Sequence, residues 1–433
     1  MKKLFTAVLL LTGFMSTLAA QELKTSYFLD NYVYSYRINP AAQFESEPFS
    51  FVAVGLGNTS VSAASNMGLD AFVYKTSDAY TWGFAEAVPR KTFLSRLNED
   101  NYLMPQFGIN LFTFGRQGED YRYAVELNVK SDTYVYAPKQ FFAAFKDGID
   151  IGLKEKKGSY SISDFLLNSD NYTEIAFCYS RKLRDDLIVG GAAKALIGLA
   201  KAQFNISSMN VHEMSGDWGG SCNGDVLVAT KLMDVSQAMK GGNSVYDILQ
   251  DAALNGVGIA GFGFSFDVGV TWTPIENLEV GLSALDLGFI NWKNAFSGKI
   301  DYENKIFNEV EDAVEFKSVD TVSSLKGLNY NVHLFAKYRT PFYDKLSFGM
   351  LGSFQPYFKE LRLGADVTPI KAVSLAASAA YNSFGFDVGA ALNFRFPGIN
   401  LFLGADSLVF GSTDGIPSGH GLTNVTAGLV FAF

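Results

Sequence analysis

The sequence has too little positive charge and too short an apolar run for two common classes of protein. A formal net charge of −9 argues against nucleic acid as a partner, because nucleic-acid binding needs a basic face. Beyond residue 20, no stretch offers the roughly 20 uninterrupted apolar residues that a membrane-spanning helix needs. The nearest candidate, residues 252–272, is interrupted by Asn255 and Asp267. We therefore expect neither a nucleic-acid-binding protein nor a helical membrane protein.

Cysteine and histidine are also scarce. Cys178 and Cys222 are the only cysteines; export would permit a disulfide, but the sequence gives no sign that their Cα atoms approach. The histidines, His212, His333 and His420, lack the paired spacing of a zinc site. No G-x-S-x-G nucleophile motif is present either. We predict no catalytic residues, no cofactor and no metal site.

The first residues have the pattern of a secretory signal peptide. Two lysines precede an almost wholly apolar run over residues 4–18, and two alanines follow it. A basic start, a short apolar core and small residues before the cleavage site are typical of such a peptide. We assign residues 1–20 to the signal peptide, which makes the remaining chain an exported protein.

Long runs of alternating side chains indicate strands that cross a membrane. In residues 261–272, Phe, Val and Trp take every second position, and glycine or polar side chains take the positions between. Residues 330–339 and 384–396 repeat the pattern. A strand collects such side chains on one face, whereas a helix would spread them. The runs exceed the usual strand of a soluble β-sandwich and match the roughly 9–11 residues of a tilted transmembrane strand.

The fold predicted from this pattern is all-β, a membrane-spanning antiparallel β-barrel of about 14 strands in residues 49–433, with a hatch-like periplasmic segment at residues 21–48. Short and long connections alternate, as in barrels with short periplasmic turns and longer outer loops. We expect partly helical outer loops, at residues 139–145, 163–167 and 245–254. The predicted strands cover residues 49–57, 105–115, 120–130, 171–181, 186–207, 258–272, 278–287, 328–339, 345–354, 360–368, 371–381, 384–396, 399–408 and 421–433.

The C-terminus resembles the terminal strand by which outer-membrane barrels are recognised for assembly. Leu429, Phe431 and Phe433 alternate with small or inward-facing residues, and the chain stops on Phe433. We predict that these three residues form an assembly signal, with the barrel assembly machinery and outer-membrane lipid as partners. The predicted location is the outer membrane of a bacterial cell.

Charged residues on the inward faces of the predicted strands are candidates for lining the lumen. A Lys or Arg facing lipid at the midplane costs roughly 2–4 kcal/mol, so charged side chains must face inward or lie near an interface. These residues either pair with one another and stiffen the lumen, or line a solute path or hold the hatch. The candidates are Lys194, Asp267, His333, Lys337, Arg362, Asp366, Asp387 and Arg395.

Asn39, Pro40 and Ala41 resemble the Asn-Pro-Ala segment near the start of FadL-like transporters of hydrophobic compounds. In that family, the N-terminal segment folds into the lumen as a hatch, so the resemblance implies a FadL-like barrel with these three residues in its hatch. More specifically, the chain resembles an uncharacterised family of Bacteroidota outer-membrane proteins with a domain of unknown function. The stretches that carry this resemblance are residues 190–200, 278–292 and 425–433.

Two functions of different classes remain open from the sequence. The first is a FadL-like channel or transporter for a small compound, for which the resemblance implies a hydrophobic one. The second is a non-transporting structural or accessory barrel of a cell-surface or secretion complex, whose partners would be other surface proteins. An enzyme is not expected, because no nucleophile arrangement is recognisable.

Overall fold

The alternating segments form one antiparallel sheet in the computed structural model, which describes residues 22–43, 47–55, 57–76, 79–146, 159–214, 217–231, 258–307, 316–408, 411–418 and 424–433. The described strands, 17 of which belong to this sheet, are β1 (Phe49–Val54), β2 (Thr59–Ser65), β3 (Val73–Lys75), β4 (Tyr80–Trp82), β5 (Asp100–Gln117), β6 (Tyr121–Pro138), β7 (Ser159–Arg184), β8 (Leu187–Met214), β9 (Asp217–Thr230), β10 (Gly261–Ile275), β11 (Leu278–Phe307), β12 (Phe316–Gly327), β13 (Asn331–Arg339), β14 (Leu346–Phe354), β15 (Lys359–Ile370), β16 (Val373–Asn382), β17 (Gly385–Phe396), β18 (Gly398–Ala405), β19 (Gly411–Thr413), β20 (Ile416–Ser418) and β21 (Val425–Ala432). The helices are α1 (Arg90–Ser95), α2 (Lys139–Lys146) and the 3-10 helices Lys24–Tyr27, Val33–Arg37 and Leu69–Ala71.

The sheet closes into a ring of about 14 strand positions, which confirms the predicted barrel. β1 and β2 share one position, because both pair with β5 on one side and β21 on the other. β9, β12 and the short pairs β3–β4 and β19–β20 lie outside the ring, so β8 pairs directly with β10 and β11 with β13. The last strand meets the first where Phe51 faces Ala432, and Ser50 and Phe433 exchange backbone hydrogen bonds of 2.7 and 2.9 Å.

The exterior of the ring is apolar, and its interior is mostly polar or small, apart from large side chains such as Phe335 and Phe402. On β10, Phe262, Phe264 and Phe266 are 45–48% exposed, whereas Ser265 and Thr271 on the opposite face are fully buried. Leu429 and Phe431 lie on the outward face of β21, and Phe433, which follows the strand, is exposed as well, as the alternation predicts. A closed sheet satisfies its backbone groups internally, and the apolar exterior suits lipid. The protein is therefore an outer-membrane β-barrel.

The described helices are short. None of those in the described part of the chain is long and apolar enough to cross a membrane. Helix α2 confirms the helix predicted at residues 139–145. The helix predicted at residues 163–167 is wrong, because these residues belong to strand β7. The helix predicted at residues 245–254 lies outside the described residues.

Several strands continue far beyond the ends predicted for them, on the side of the barrel away from Phe433. β7 and β11 contain 26 and 30 residues, although about 10 suffice to cross a bilayer. β8, predicted to end at residue 207, contains 28 residues and continues only to Met214. Of the connections predicted to be long outer loops, the described residues 159–170 and 288–307 are therefore strand instead. Residues 217–230, which lie in the connection predicted between the strands at 186–207 and 258–272, form β9, which pairs with both β8 and β11. Above the membrane no lipid enforces alternation, so the sequence signal fades while hydrogen bonding continues.

The first wall position differs from the predicted single strand at residues 49–57. Val52 faces Phe431 and Thr59 faces Ala427, so residues 53–58 lie opposite residues 428–430 in a wide bulge. The wall then resumes as β2, within the long connection predicted after this strand. Cys178 on β7 and Cys222 on β9 are both free thiols.

Candidate functional site: a lumen closed by the N-terminal segment

Residues 22–43, which we call the hatch, lie inside the barrel and fill the middle of its lumen. Two 3-10 helices turn the chain back on itself, so a short segment covers a wide opening. Leu23, Phe28 and Tyr34 are at most 1% exposed. They pack in one cluster with wall residues Phe335 and Phe402. The predicted signal peptide and residues 21 and 44–46 lie outside the described residues.

Glycines on the lumen face of the wall make room for the hatch. A Cβ atom at Gly364 would come within 2.5 Å of the Phe28 ring, and one at Gly190 would come equally close to the Pro40 carbonyl oxygen. Gly269 lies against Asn39 and Pro40 in the same way. The small residues of the inward faces are thus the places where hatch and wall make close contact.

The beginning of the hatch is anchored by a buried carboxylate and a buried guanidinium. Asp406 accepts hydrogen bonds from the backbone N–H groups of Lys24 and Thr25, both at 2.7 Å, and from the Thr25 hydroxyl at 2.6 Å. Arg362 donates to the Thr25 hydroxyl at 3.2 Å and pairs with Glu360 at 2.8 Å. Lys24 pairs with Glu360 at 3.5 Å. Buried charges are tolerated because each has an opposite partner.

The middle of the hatch has an ionic anchor near the periplasmic end of the lumen. Lys337 donates to the Phe28 carbonyl at 2.8 Å and to Asp30 at 2.7 Å, and Arg339 pairs with Asp30 at 3.0 Å. Burial would raise the pKa of the Asp30 carboxyl, but the two cations outweigh it and hold the pKa below its usual range. Charge therefore adds to the apolar packing of Phe28 in holding this loop.

The end of the hatch is the Asn-Pro-Ala segment. The Asn39 side chain donates to the Thr271 hydroxyl at 2.7 Å, and its carboxamide oxygen accepts from the Ala41 N–H at 3.0 Å. Asn39 and Ala41 are 2% and 0% exposed, and Pro40 is buried between them. Just before this segment, Arg37 pairs with Glu126 at 3.0 Å. Asparagine thus bonds both the wall and its own backbone, which fixes the turn.

Two cavities flank the hatch. The central cavity, of about 120 Å³, lies on the outer side and is lined by wall residues such as Lys130, Asp132 and His333. The periplasmic cavity, of about 310 Å³, lies on the other side and is lined by hatch residues and by Lys337 and Arg339. The hatch therefore separates two spaces that the barrel would otherwise join.

The central cavity is walled by an ionic network. Lys194 pairs with Asp267 at 2.7 Å and with Asp286 at 2.6 Å. Lys130 pairs with Glu174 at 2.9 Å. Any solute that enters this cavity meets charged and hydrogen-bonding groups.

The structure places the residues predicted to line the lumen as follows. Lys194 and Asp267 pair beside the central cavity, and His333 lies nearby with its Nδ1 2.8 Å from the Ser353 hydroxyl. Lys337 and Arg362 lie at the hatch anchors, and Asp366 lies near the Asp30 backbone, where it accepts a hydrogen bond from Ser347 at 3.2 Å. Asp387 is hydrogen-bonded to Asn382 beside a small cavity that Arg362 also lines. Arg395 lies apart from these residues, at the periplasmic end, and donates to the Lys371 carbonyl.

Asp286 is a lumen residue that strict alternation misses. Ser283 faces inward, so a regular strand would turn Asp286 toward lipid. In the structure, Asp267 faces both Leu285 and Asp286, which is a β-bulge, and Asp286 has a φ of +57°. The bulge turns its carboxylate inward to Lys194. A charged residue on the wrong face of an alternating run was the available signal.

Comparison with known proteins gives one family and several structures. Residues 40–406 match the family of unknown function DUF5723. No curated protein matches. The chain is similar to a FadL homologue of Pseudomonas aeruginosa (11% identity, 96% of this chain and 98% of that chain covered, TM-score 0.47). It is also similar to the toluene transporters TodX of Pseudomonas putida (11%, 96% and 99%, 0.42) and TbuX of Ralstonia pickettii (11%, 92% and 92%, 0.39).

Proposed function

Because the chain belongs to the family of unknown function DUF5723, whose name assigns no activity, we propose from the lumen itself that the protein is an outer-membrane channel for a small compound, closed at rest by the hatch. The observation that carries this proposal is the position of the hatch between two cavities. Its polar anchors each contribute a few kcal/mol at most, since a hydrogen bond to a charged group contributes roughly 1.5–3 kcal/mol to stability. Displacing the hatch would join the cavities into one path.

The lining of the path constrains the solute. The resemblance to FadL-like proteins implies a hydrophobic compound, but the central cavity presents Lys130, Asp132 and Lys194. A wholly apolar compound would strip water from these groups without replacing its hydrogen bonds, at a cost in free energy. We therefore favour a solute with both apolar and polar surface.

Each group of predicted residues has a role in this proposal. Lys337 and Arg362 hold the hatch, and Lys194 and Asp267 line the path. Asn39, Pro40 and Ala41 fasten the hatch to the wall. Leu429, Phe431 and Phe433 serve as the assembly signal, which the barrel assembly machinery reads. The proposal assigns the chain no enzymatic activity and no cofactor.

Liposome swelling with a series of small solutes tests the proposal. Deletion of residues 22–43 should increase the swelling rate, because it removes the segment between the cavities. Phe266→Leu, a change on the lipid face, is the control and should leave the rate unchanged. Folding of each variant is checked by heat-modifiable migration on gels. A folded, hatch-deleted barrel that passes no solute contradicts the proposal.

A second function, an accessory barrel of a surface complex, is favoured by the long outer extensions of β7, β8 and β11. At about 3.3 Å per residue, such strands rise well beyond the bilayer and offer a broad sheet to other proteins. Pull-down from solubilised membranes tests this function. A stoichiometric partner that is lost when the β8–β9 hairpin is shortened would support it, and recovery of the barrel alone would count against it.

A further inference from the structure

Aromatic side chains gather at the outer end of the lumen, above the central cavity. They come from two parts of the ring that are far apart in the chain. We call them the aromatic cluster, which consists of Tyr102 on β5, Tyr134 and Tyr136 on β6, Tyr357 and Phe358 in the turn before β15, and Phe384 in the turn before β17.

The aromatic cluster reaches across the mouth of the barrel. β6 and β15 lie on opposite sides of the ring, separated by β7, β8, β10, β11, β13 and β14 one way round, and by β16, β17, β18, β21, the β1–β2 position and β5 the other way. Nevertheless, the Tyr134 and Tyr357 rings stack with centroids 3.9 Å apart and planes 15° apart. A hydrogen bond of 2.6 Å from Asn329 to Asp132 spans the mouth as well. The outer end of β6 therefore leans over the lumen.

The two rings of this stack are held unequally. Tyr134 is 6% exposed and lies on a strand that pairs on both sides. Tyr357 is 41% exposed and lies in a turn outside the strands. A separation of 3.9 Å leaves no space for a third ring. A planar solute can therefore stack on Tyr134 only if Tyr357 gives way.

The groups just below the stack are polar. Asp132 lies on the same face of β6 as Tyr134, about 7 Å further down the strand, and lines the central cavity. Its carboxylate accepts hydrogen bonds from Gln106 at 2.7 Å and from Asn329 at 2.6 Å. A ring stacked on Tyr134 would point its edge at this group.

We propose that the aromatic cluster is a binding site for a planar ring with a polar edge, and that Tyr357 is the gate that such a ring displaces from Tyr134. The flat tyrosine faces bind a flat apolar face, and the Asp132 carboxylate with its two amides binds hydroxyl groups on the ring edge. Phenols have this chemistry, whereas the puckered rings of cyclohexanol and of pyranose sugars lack a planar face. The site deepens the proposed channel function and rests on it, as the place where solute first binds.

The cluster also touches the hatch. The Lys24 ammonium lies 4.4 Å from the centroid of the Phe358 ring, a cation–π contact. Phe358 is 5% exposed and follows Tyr357 directly in the same turn. Movement of Tyr357 would therefore shift Phe358, and through it Lys24 at the beginning of the hatch.

Equilibrium binding to the full-length protein in detergent tests the site without any need for transport, with empty micelles as the blank. Phenol and cyclohexanol are matched in size but differ in planarity, and methyl glucoside represents puckered rings that carry many hydroxyl groups. The wild type should bind phenol about two- to tenfold more tightly than cyclohexanol or methyl glucoside, the range expected for an aromatic contact. Tighter binding of the glucoside than of phenol would contradict a site for planar rings.

The two members of the stack should respond in opposite directions. Tyr357→Ala removes the competing ring and should tighten binding of the preferred probe, whereas Tyr134→Leu keeps apolar bulk without a flat face and should abolish the preference over cyclohexanol. Tyr357→Phe should behave as the wild type. Tyr343→Ala, at a residue of equal exposure (42%) in a periplasmic turn, is the control. The proposal would be overturned if the two stack variants responded equally, or if the wild type showed no preference for a planar probe. Intact binding without solute flux would count only against the channel function.

Discussion

Single side chains in the lumen carry charge into a region where an unpaired charge is costly. Arg362 is 1% exposed and joins Glu360, Asp406 and the Thr25 hydroxyl of the hatch. Arg362→Met should destabilise the protein by about 3–5 kcal/mol, because two buried carboxylates would each lose a charged partner. Urea unfolding in detergent measures this change. The control is Lys371→Met, since Lys371 is almost fully exposed and its pair with Glu47 should contribute little. Equal destabilisation by the two substitutions would contradict a stabilising role of the buried Arg362 ion pairs.

On the lipid-facing side of the barrel, the effect of a single substitution is set by the free energy of transferring that side chain into hydrocarbon. Phe266 is 45% exposed on β10, between the ends of the membrane-crossing part of that strand. Phe266→Arg should cost roughly 2–4 kcal/mol of insertion free energy, because the guanidinium would face lipid near the midplane. Folding into vesicles, followed by heat-modifiable migration, measures the loss. Phe266→Leu should fold as the wild type, and normal folding of the Arg variant would mean that this face does not meet lipid.

At the scale of the element, the wall was predictable and its departures from regularity were not. Alternation located the strands around residues 261–272 and their inward and outward faces, because lipid on one side enforces it. It could not reveal the bulge at Asp286, since one extra residue reverses the parity of all that follow. The outer extensions of β7 and β11 were missed because no lipid bounds them. Asn39 was found by resemblance, but its bond to Thr271 required the packed structure.

The hatch is an element whose middle anchor depends on pH. The pKa of Asp30 is lowered in the folded protein from its ordinary value of 3.8, so its charge stabilises the fold above that value, and this contribution disappears as pH falls through the lower, folded pKa. The difference in melting temperature between the wild type and Asp30→Asn should therefore be largest near neutral pH and shrink below about pH 4. Thermal scans across pH 2.5–7 in detergent measure it, and a constant difference would exclude an ionic anchor.

For the whole molecule, the aromatic cluster and the hatch are two closures placed one after the other along a single lumen. Resistances in series add, so removing the smaller one changes the total little while the larger one remains. Tyr357→Ala should therefore raise solute flux only slightly when the hatch is in place. In the barrel lacking residues 22–43, the same substitution should raise flux several-fold, because the mouth is then the main remaining barrier. Liposome swelling compares the four proteins, with Tyr343→Ala in both backgrounds as the control. An equal proportional gain from Tyr357→Ala in both backgrounds would mean that the solute path does not pass both closures.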